Sequence, residues 1–247
     1  MRLLMTFSYD GSNYKGYQKQ PKAKTVQNEI ETQLTKLNSG KKVMIHASGR
    51  TDAHVHALAQ KAHFDLDKKI ELEKLQKSLN RLLPDDIYIS KIEEVSSEFH
   101  ARFDVKSKEY IYKINMGTYS PFDRNYIYQY NKPLDVAEIE RAMKYLEGTH
   151  NFRAFTKVDE EKESYVRTLI QANLYRDARN PGQLTLSFFG TGFLRYMVRN
   201  MVGTLIEIGE GKRKSEDILE ILASEDRTKA GKTAPPEGLY LKNVFYE

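Results

Sequence analysis

Apolar and polar residues alternate from 2 to 10, placing Leu3, Met5, Phe7 and Tyr9 on one face with the period of a half-buried strand. Asp10-Gly11 then marks a turn. Thr25 stands where it would cap a helix, and Val26, Ile30, Leu34 and Leu37 fall on one stripe of it, with Asn38 to Gly40 as the stop. Strand-like segments follow at 42–48 and 58–66. A second amphipathic helix, with Leu72, Leu75, Leu79 and Leu82 in register, ends before Pro84, and 86–95 reads as a strand. The order is β-α-β-β-α-β.

The second half repeats that order. A strand at 105–115 precedes a helix from Asp135 with Val136, Ile139, Met143 and Leu146 in stripe. Strands at 165–176 and 183–189, a helix at 193–208, a short extra helix at 215–223 and a last strand at 239–246 complete it. The pattern predicts an α+β chain of two ferredoxin-like (βαββαβ) halves meeting near residue 103, each an antiparallel sheet covered by helices on one side and open to a ligand on the other. Tyr110, Tyr112 and Ile114 alternate onto one face of their strand, where aromatics either stack on RNA bases or simply fill a core.

Composition narrows the chemistry. Lys plus Arg number 39 against 34 Asp plus Glu, a net charge of +5, which favours a polyanionic partner. The basic residues come in short groups (Lys19, Lys22 and Lys24; Lys41 and Lys42; Lys212, Arg213 and Lys214) that matter for binding only if they converge. No cysteine is present, which excludes disulfides, thiolate zinc sites, iron–sulfur clusters and a cysteine nucleophile. Without a basic leader, or an apolar run near 18 residues, the expectation is a soluble, cytoplasmic protein.

The densest polar cluster is Ser48-Gly49-Arg50-Thr51-Asp52-Ala53-His54-Val55-His56, between two predicted strands. Asp52 there is either a nucleophile or general base, or a turn former bonding its own backbone. His54 and His56, two apart, would share a side in extended chain and with Asp52 permit a metal site. The other histidines, His46, His63, His100 and His150, are scattered along the sequence. Arg195 and Arg199 sit one turn apart within an apolar stripe that includes Leu194, Val198 and Met201, so Arg199 needs a carboxylate or phosphate partner.

Read together, the motifs resemble those of the tRNA pseudouridine synthase A family over nearly the whole chain. They are Tyr9-Asp10-Gly11, Gly16-Tyr17-Gln18 and Thr25-Val26-Gln27; Gly49-Arg50-Thr51-Asp52 and Val55-His56-Ala57; and Phe99, Arg102 and Phe103 with Tyr110 and Tyr112. Downstream come Gly148-x-His150-Asn151-Phe152, Val166-Arg167-Thr168, Phe193-Leu194, Met197-Val198-Arg199-Asn200 and Thr233-Ala234-Pro235-Pro236-Glu237-Gly238-Leu239.

The resemblance implies two ferredoxin-like halves, 1–103 with the aspartate loop and 104–247, flanking a central basic cleft in a homodimer. It implies isomerisation of uridine to pseudouridine in the anticodon arm of tRNA, at positions 38, 39 and 40, without metal or other cofactor. Asp52 would be the nucleophile, with Tyr110 and Arg199 as further catalytic residues. Arg50, Thr51, His54, His56, Arg102 and Leu194 would contact the RNA. His54 stands where the family usually has Gly, and Tyr17 where Trp is common. Two other readings stay open: a non-catalytic RNA-binding paralogue, and a metal-dependent hydrolase built on Asp52, His54 and His56.

Overall fold

The alternating segment at the N-terminus does form a strand, with Leu3, Met5 and Phe7 fully buried and Tyr9 nearly so. The computed structural model describes residues 1–67, 70–157, 164–178 and 180–247. Among these the elements run β1 (Arg2–Tyr9), α1 (Val26–Leu37), β2 (His46–Ala47), β3 (His56–Asp65), α2 (Leu72–Leu82), β4 (Ile87–Val95), β5 (Ser107–Asn115), β6 (Tyr128–Gln129), α3 (Val136–Leu146), β7 (Gly148–Asn151), β8 (Val166–Arg176), β9 (Gln183–Gly190), α4 (Met197–Gly209), α5 (Asp217–Ser224) and β10 (Leu239–Phe245). The protein is of mixed α and β structure, in two units: Met1–Lys106 with Tyr240–Glu247, and Ser107–Leu239.

In the first unit β1 lies between β3 and β4, antiparallel to both. Two short strands share the far edge of β3. At one end β2 runs antiparallel, with His46 opposite His63; at the other β10 runs parallel, with Tyr240 opposite His56 and Leu241 opposite Ala57. That pairing ties the C-terminal strand, expected in the second half, to the first unit.

The expected strand at 42–48 shrinks to His46–Ala47 because α1 side chains capture its backbone donors. Val43 N–H donates to Thr35 Oγ1 at 3.1 Å and Ile45 N–H to Glu31 Oε1 at 3.2 Å, leaving fewer donors for a β ladder. Thr25 occupies the N-cap of α1 in extended conformation, yet its side chain makes no capping bond. The first helical N–H groups go instead to the chain before it: Val26 N–H to Gly16 O at 3.4 Å and Gln27 N–H to Tyr17 O at 3.0 Å. The start of α1 thereby holds the Gly16-Tyr17 element.

In the second unit β5, β9, β8 and β7 form an antiparallel sheet, with β6 parallel to β5. Asp135 caps α3 by accepting from Glu138 N–H at 3.0 Å. Helix α4 begins at Met197, later than the apolar pattern predicts, because Tyr196 takes a left-handed φ of 62° and acts as its N-cap. Of the two readings of the aromatics on β5, the core one holds at Tyr112, which is fully buried and whose hydroxyl donates to Pro235 O at 2.7 Å. Gly238 also lies against the Tyr112 ring, where a Cβ would come within 2.8 Å.

Candidate active site

Asp52 opens a tight turn between β2 and β3. Val55 N–H returns to Asp52 O at 3.2 Å, and His54, third in the turn, has φ of +65°. A turn with positive φ at that position favours Gly, because a Cβ there meets the backbone. His54 is held in this conformation from outside: its Nδ1 lies 2.8 Å from Ser12 O, and since a carbonyl only accepts, Nδ1 carries the proton.

Both ends of the loop are clamped. Ser48 Oγ donates to Gln60 Oε1 at 2.6 Å and Gln60 Nε2 donates to Gly49 O at 3.1 Å. Tyr9 and Thr51 share a buried hydroxyl pair at 2.8 Å, and burial pushes the Tyr9 phenol up to about 12 despite the bonds to Thr51 and Gln60. Tyr9 therefore stays protonated and structural at neutral pH. Asp52 itself is partly exposed and Arg50 is exposed, while Thr51 is buried.

The chain from Gly11 to Tyr17 cradles this loop from below. Tyr17 N–H donates to Thr51 O at 3.2 Å, and His54 N–H to Tyr14 O at 3.2 Å. Gly16, with φ of +98°, has no room for a side chain: its Cβ would stand 3.0 Å from Thr51 O and 3.3 Å from both Ala53 N and Asp52 C. Gly11 approaches even closer, at 2.1 Å from Val55 O for the same hypothetical atom. The cradle is anchored by Tyr14, whose hydroxyl donates to Asp86 and whose ring lies 4.5 Å beneath the Lys24 ammonium. Burial and Asp86 together raise the Tyr14 phenol far above its ordinary range.

His56 is almost fully buried and stacked on Tyr240 at 4.6 Å. Gly11 N–H donates to its Nδ1 at 3.1 Å, which makes that nitrogen an acceptor. Asp10 Oδ1, 3.2 Å from the same nitrogen, instead takes the N–H and hydroxyl of Ser12 at 2.9 and 2.6 Å. The Nδ1 atoms of His54 and His56 are thus both engaged with backbone. Among the described residues no group of three or more His, Cys, Asp or Glu is placed to hold a metal ion.

Tyr110, Leu194 and Arg199 lie in the second unit. Tyr110 on β5 is buried and meets Phe193 edge-on at 4.9 Å, with Leu194 buried next in sequence. Two guanidinium groups lie over the Tyr196 ring, Arg195 at 5.3 Å and Arg199 at 5.1 Å from its centre. Arg199 Nε donates to Ala234 O at 2.7 Å and Ala234 N–H returns to Arg199 O at 3.0 Å, so this arginine ties α4 to the segment before β10. Buried Asn200 joins three segments to α4: it donates to Phe155 O at 2.8 Å and accepts from Thr233 Oγ1 at 2.7 Å and Arg227 Nη2 at 3.0 Å.

Arg102 belongs elsewhere in the first unit. Its neighbour Ala101 donates to His63 Nδ1 at 3.1 Å. His63 is seven residues along β3 from His56, or roughly 23 Å at strand spacing, so Arg102 stands at the end of the sheet opposite the Asp52 loop. Here three of the four histidines that look scattered in sequence, His46, His63 and His100, converge, while His150 lies in the second unit. His46 stacks on His63 at 4.9 Å, and His100 meets His63 at 4.7 Å. Sequence spacing hides this group, because only the β2–β3 register and the turn after β4 assemble it. Gly16 and Asn200 fall within recognised motifs, but their positioning roles depend on contacts that no local pattern shows. No helix among the described residues is long and apolar enough to cross a membrane.

Comparison with known proteins covers the whole chain. The model of a family described as tRNA pseudouridine synthase matches residues 5–104 and 142–247. A protein named tRNA pseudouridine synthase A from Geobacillus sp. (strain WCH70) is 44% identical over 247 residues, 100% of this chain and 98% of the relative. The protein of that name from Oceanobacillus iheyensis is 45% identical over 248 residues, 100% of this chain and 97% of its own. That from Streptococcus mutans is 44% identical over 248 residues, 100% of this chain and 99% of its own.

Proposed function

Since the chain belongs to the tRNA pseudouridine synthase family, we propose that it isomerises uridine to pseudouridine in the anticodon stem-loop of tRNA, at positions 38, 39 and 40, with Asp52 as the nucleophile. The observation that carries this reading is the clamping of the Asp52 turn, fixed by Gly16, Tyr9 and the Ser48–Gln60 pair while Asp52 as a residue stays partly exposed. A nucleophile gains from being held in place before substrate arrives.

In the reaction the bond between C1′ of the ribose and N1 of uracil breaks, and positive charge builds on the sugar. The Asp52 carboxylate stabilises that charge or traps it covalently. The freed base turns, C5 bonds to C1′, N1 takes up a proton and C5 loses one. The atoms balance without oxidant, reductant or hydrolytic water. Arg199 favours the ionised carboxylate, and Tyr110 stacks on the turned base and assists proton removal from C5. Arg50, Thr51, His54, His56 and Leu194 contact or shape the RNA site, and Arg102, at the other end of the first unit's sheet, contacts RNA away from it.

The two ferredoxin-like halves flank a basic cleft, and the enzyme works as a cytoplasmic homodimer without metal or cofactor. The test is incubation with unmodified tRNA, no metal added, mapping pseudouridine base by base for the intact protein and for Asp52→Ala. Pseudouridine in the anticodon arm from the intact protein alone supports the assignment. If neither protein forms any while both bind tRNA, a non-catalytic RNA-binding paralogue becomes the better account.

A further inference from the structure

The turn after β4 presents an aromatic residue to solvent on a rigid base. Phe103 is 75% exposed. Its turn is closed by Phe103 N–H to His100 O at 3.1 Å, Asp104 N–H to His100 O at 3.0 Å and His100 N–H to Asp104 Oδ2 at 2.7 Å. Holding a large apolar ring in water gains nothing for the fold, so these bonds maintain an exposure that burial energetics disfavour.

One side of the Phe103 ring is backed by His100, with ring centres 4.2 Å apart and planes tilted by 32°. His100 continues to His63 at 4.7 Å, and His63 to His46 at 4.9 Å. Backbone donors fix the inner rings: Ala101 N–H reaches His63 Nδ1 and Arg102 N–H reaches His100 Nδ1, each at 3.1 Å. The Arg102 guanidinium lies 5.8 Å from the Phe103 ring centre. An exposed aromatic ring on a fixed stack, with a guanidinium over it at the outer range of a cation–π contact, matches the two chemical parts of a nucleotide: a base to stack and a phosphate to pair.

We propose that Phe103, backed by His100 and flanked by Arg102, is a stacking platform for one unpaired nucleobase of the RNA substrate, a second contact at the opposite end of the first unit from the Asp52 loop. The proposal rests on the reading of the protein as a tRNA-binding enzyme. RNA is favoured over a second copy of this chain because the guanidinium adjoins the exposed ring. An unpaired base is required because a base within a stem already has both faces covered.

The chain contains no tryptophan, so Phe103→Trp in the full-length protein gives a single reporter at the platform. Unmodified tRNA is titrated into this variant, and tryptophan emission is followed beside an independent binding curve from labelled tRNA; Phe103→Ala is measured by the second method alone. The expected result is quenching whose midpoint coincides with tRNA binding, with Phe103→Ala weakened about fivefold or more and Phe103→Trp within twofold of wild type. Unchanged emission at saturating tRNA, or wild-type affinity in Phe103→Ala, overturns the platform while leaving the tRNA reading intact. Emission that changes with protein concentration in the absence of RNA makes the face a contact between copies and overturns it equally. Failure of the wild-type protein to bind tRNA at all removes both the platform and the reading beneath it.

Discussion

Gly16→Ala tests whether the cradle under Asp52 positions the carboxylate or merely fills space. The new methyl group would stand 3.0 Å from Thr51 O and 3.3 Å from Ala53 N and Asp52 C, all of them backbone atoms with no rotamer to yield. The residue would also keep φ of +98°, which costs an L-amino acid about 1–2 kcal/mol. Relief of the contacts requires the Asp52 turn to move by a few tenths of an ångström. Since a displacement of about 1 Å at a reacting group costs on the order of 100-fold, the expected loss in kcat is about three- to tenfold, with KM for tRNA little changed. Gly40 supplies the control: it has φ of +82° and nothing within 4 Å of a hypothetical Cβ, so Gly40→Ala carries the backbone strain without the push. Urea unfolding and single-turnover pseudouridine formation are measured for both variants. Equal stability losses with wild-type turnover in both would refute the positioning argument.

Three further outcomes follow from the geometry. Asn200→Ala leaves the buried Phe155 carbonyl without its donor and takes a shared acceptor from Thr233 and Arg227, and is expected to lower stability by about 2 kcal/mol in urea melts; a loss below about 1 kcal/mol would mean the hub is dispensable. Burial, with smaller contributions from His100 and His46, lowers the His63 pKa from 6.5 to about 4, so between these values the unfolded chain binds the proton and the folded chain does not. Stability is therefore complete above about pH 6.5 and falls towards pH 4, by up to about 3 kcal/mol from this group; His63→Asn, which keeps an acceptor for Ala101 N–H, should flatten that slope. His54→Gly removes about 1–2 kcal/mol of left-handed strain and one hydrogen bond worth about 1 kcal/mol, so its melt should match wild type, whereas His54→Ala keeps the strain, loses the bond and should melt earlier.

What the sequence conveys here is what depends on period. β1, α1, α2 and α3 follow from apolar spacing because each buries one face, and one face is what a period encodes. Segments decided by competition for hydrogen bonds are not encoded that way. The stretch at 42–45 reads as a strand until Glu31 and Thr35 take its donors, and Tyr196 shortens α4 through a backbone angle that its residue type does not announce. The short strands β6 and β7 carry too few residues for any period, and Gly148 to Asn151 are polar. The candidate site divides along the same line. Asp52, Tyr110 and Arg199 are proposed from motifs alone, whereas the reasons for the glycines at 11 and 16 are that an added Cβ would stand 2.1 and 3.0 Å from chain some forty residues away. His54 shows the principle from the other side. A positive φ asks for Gly, yet a side chain that finds a carbonyl such as Ser12 O can offset the strain, so the departure from the family's usual residue leaves the turn under Asp52 intact.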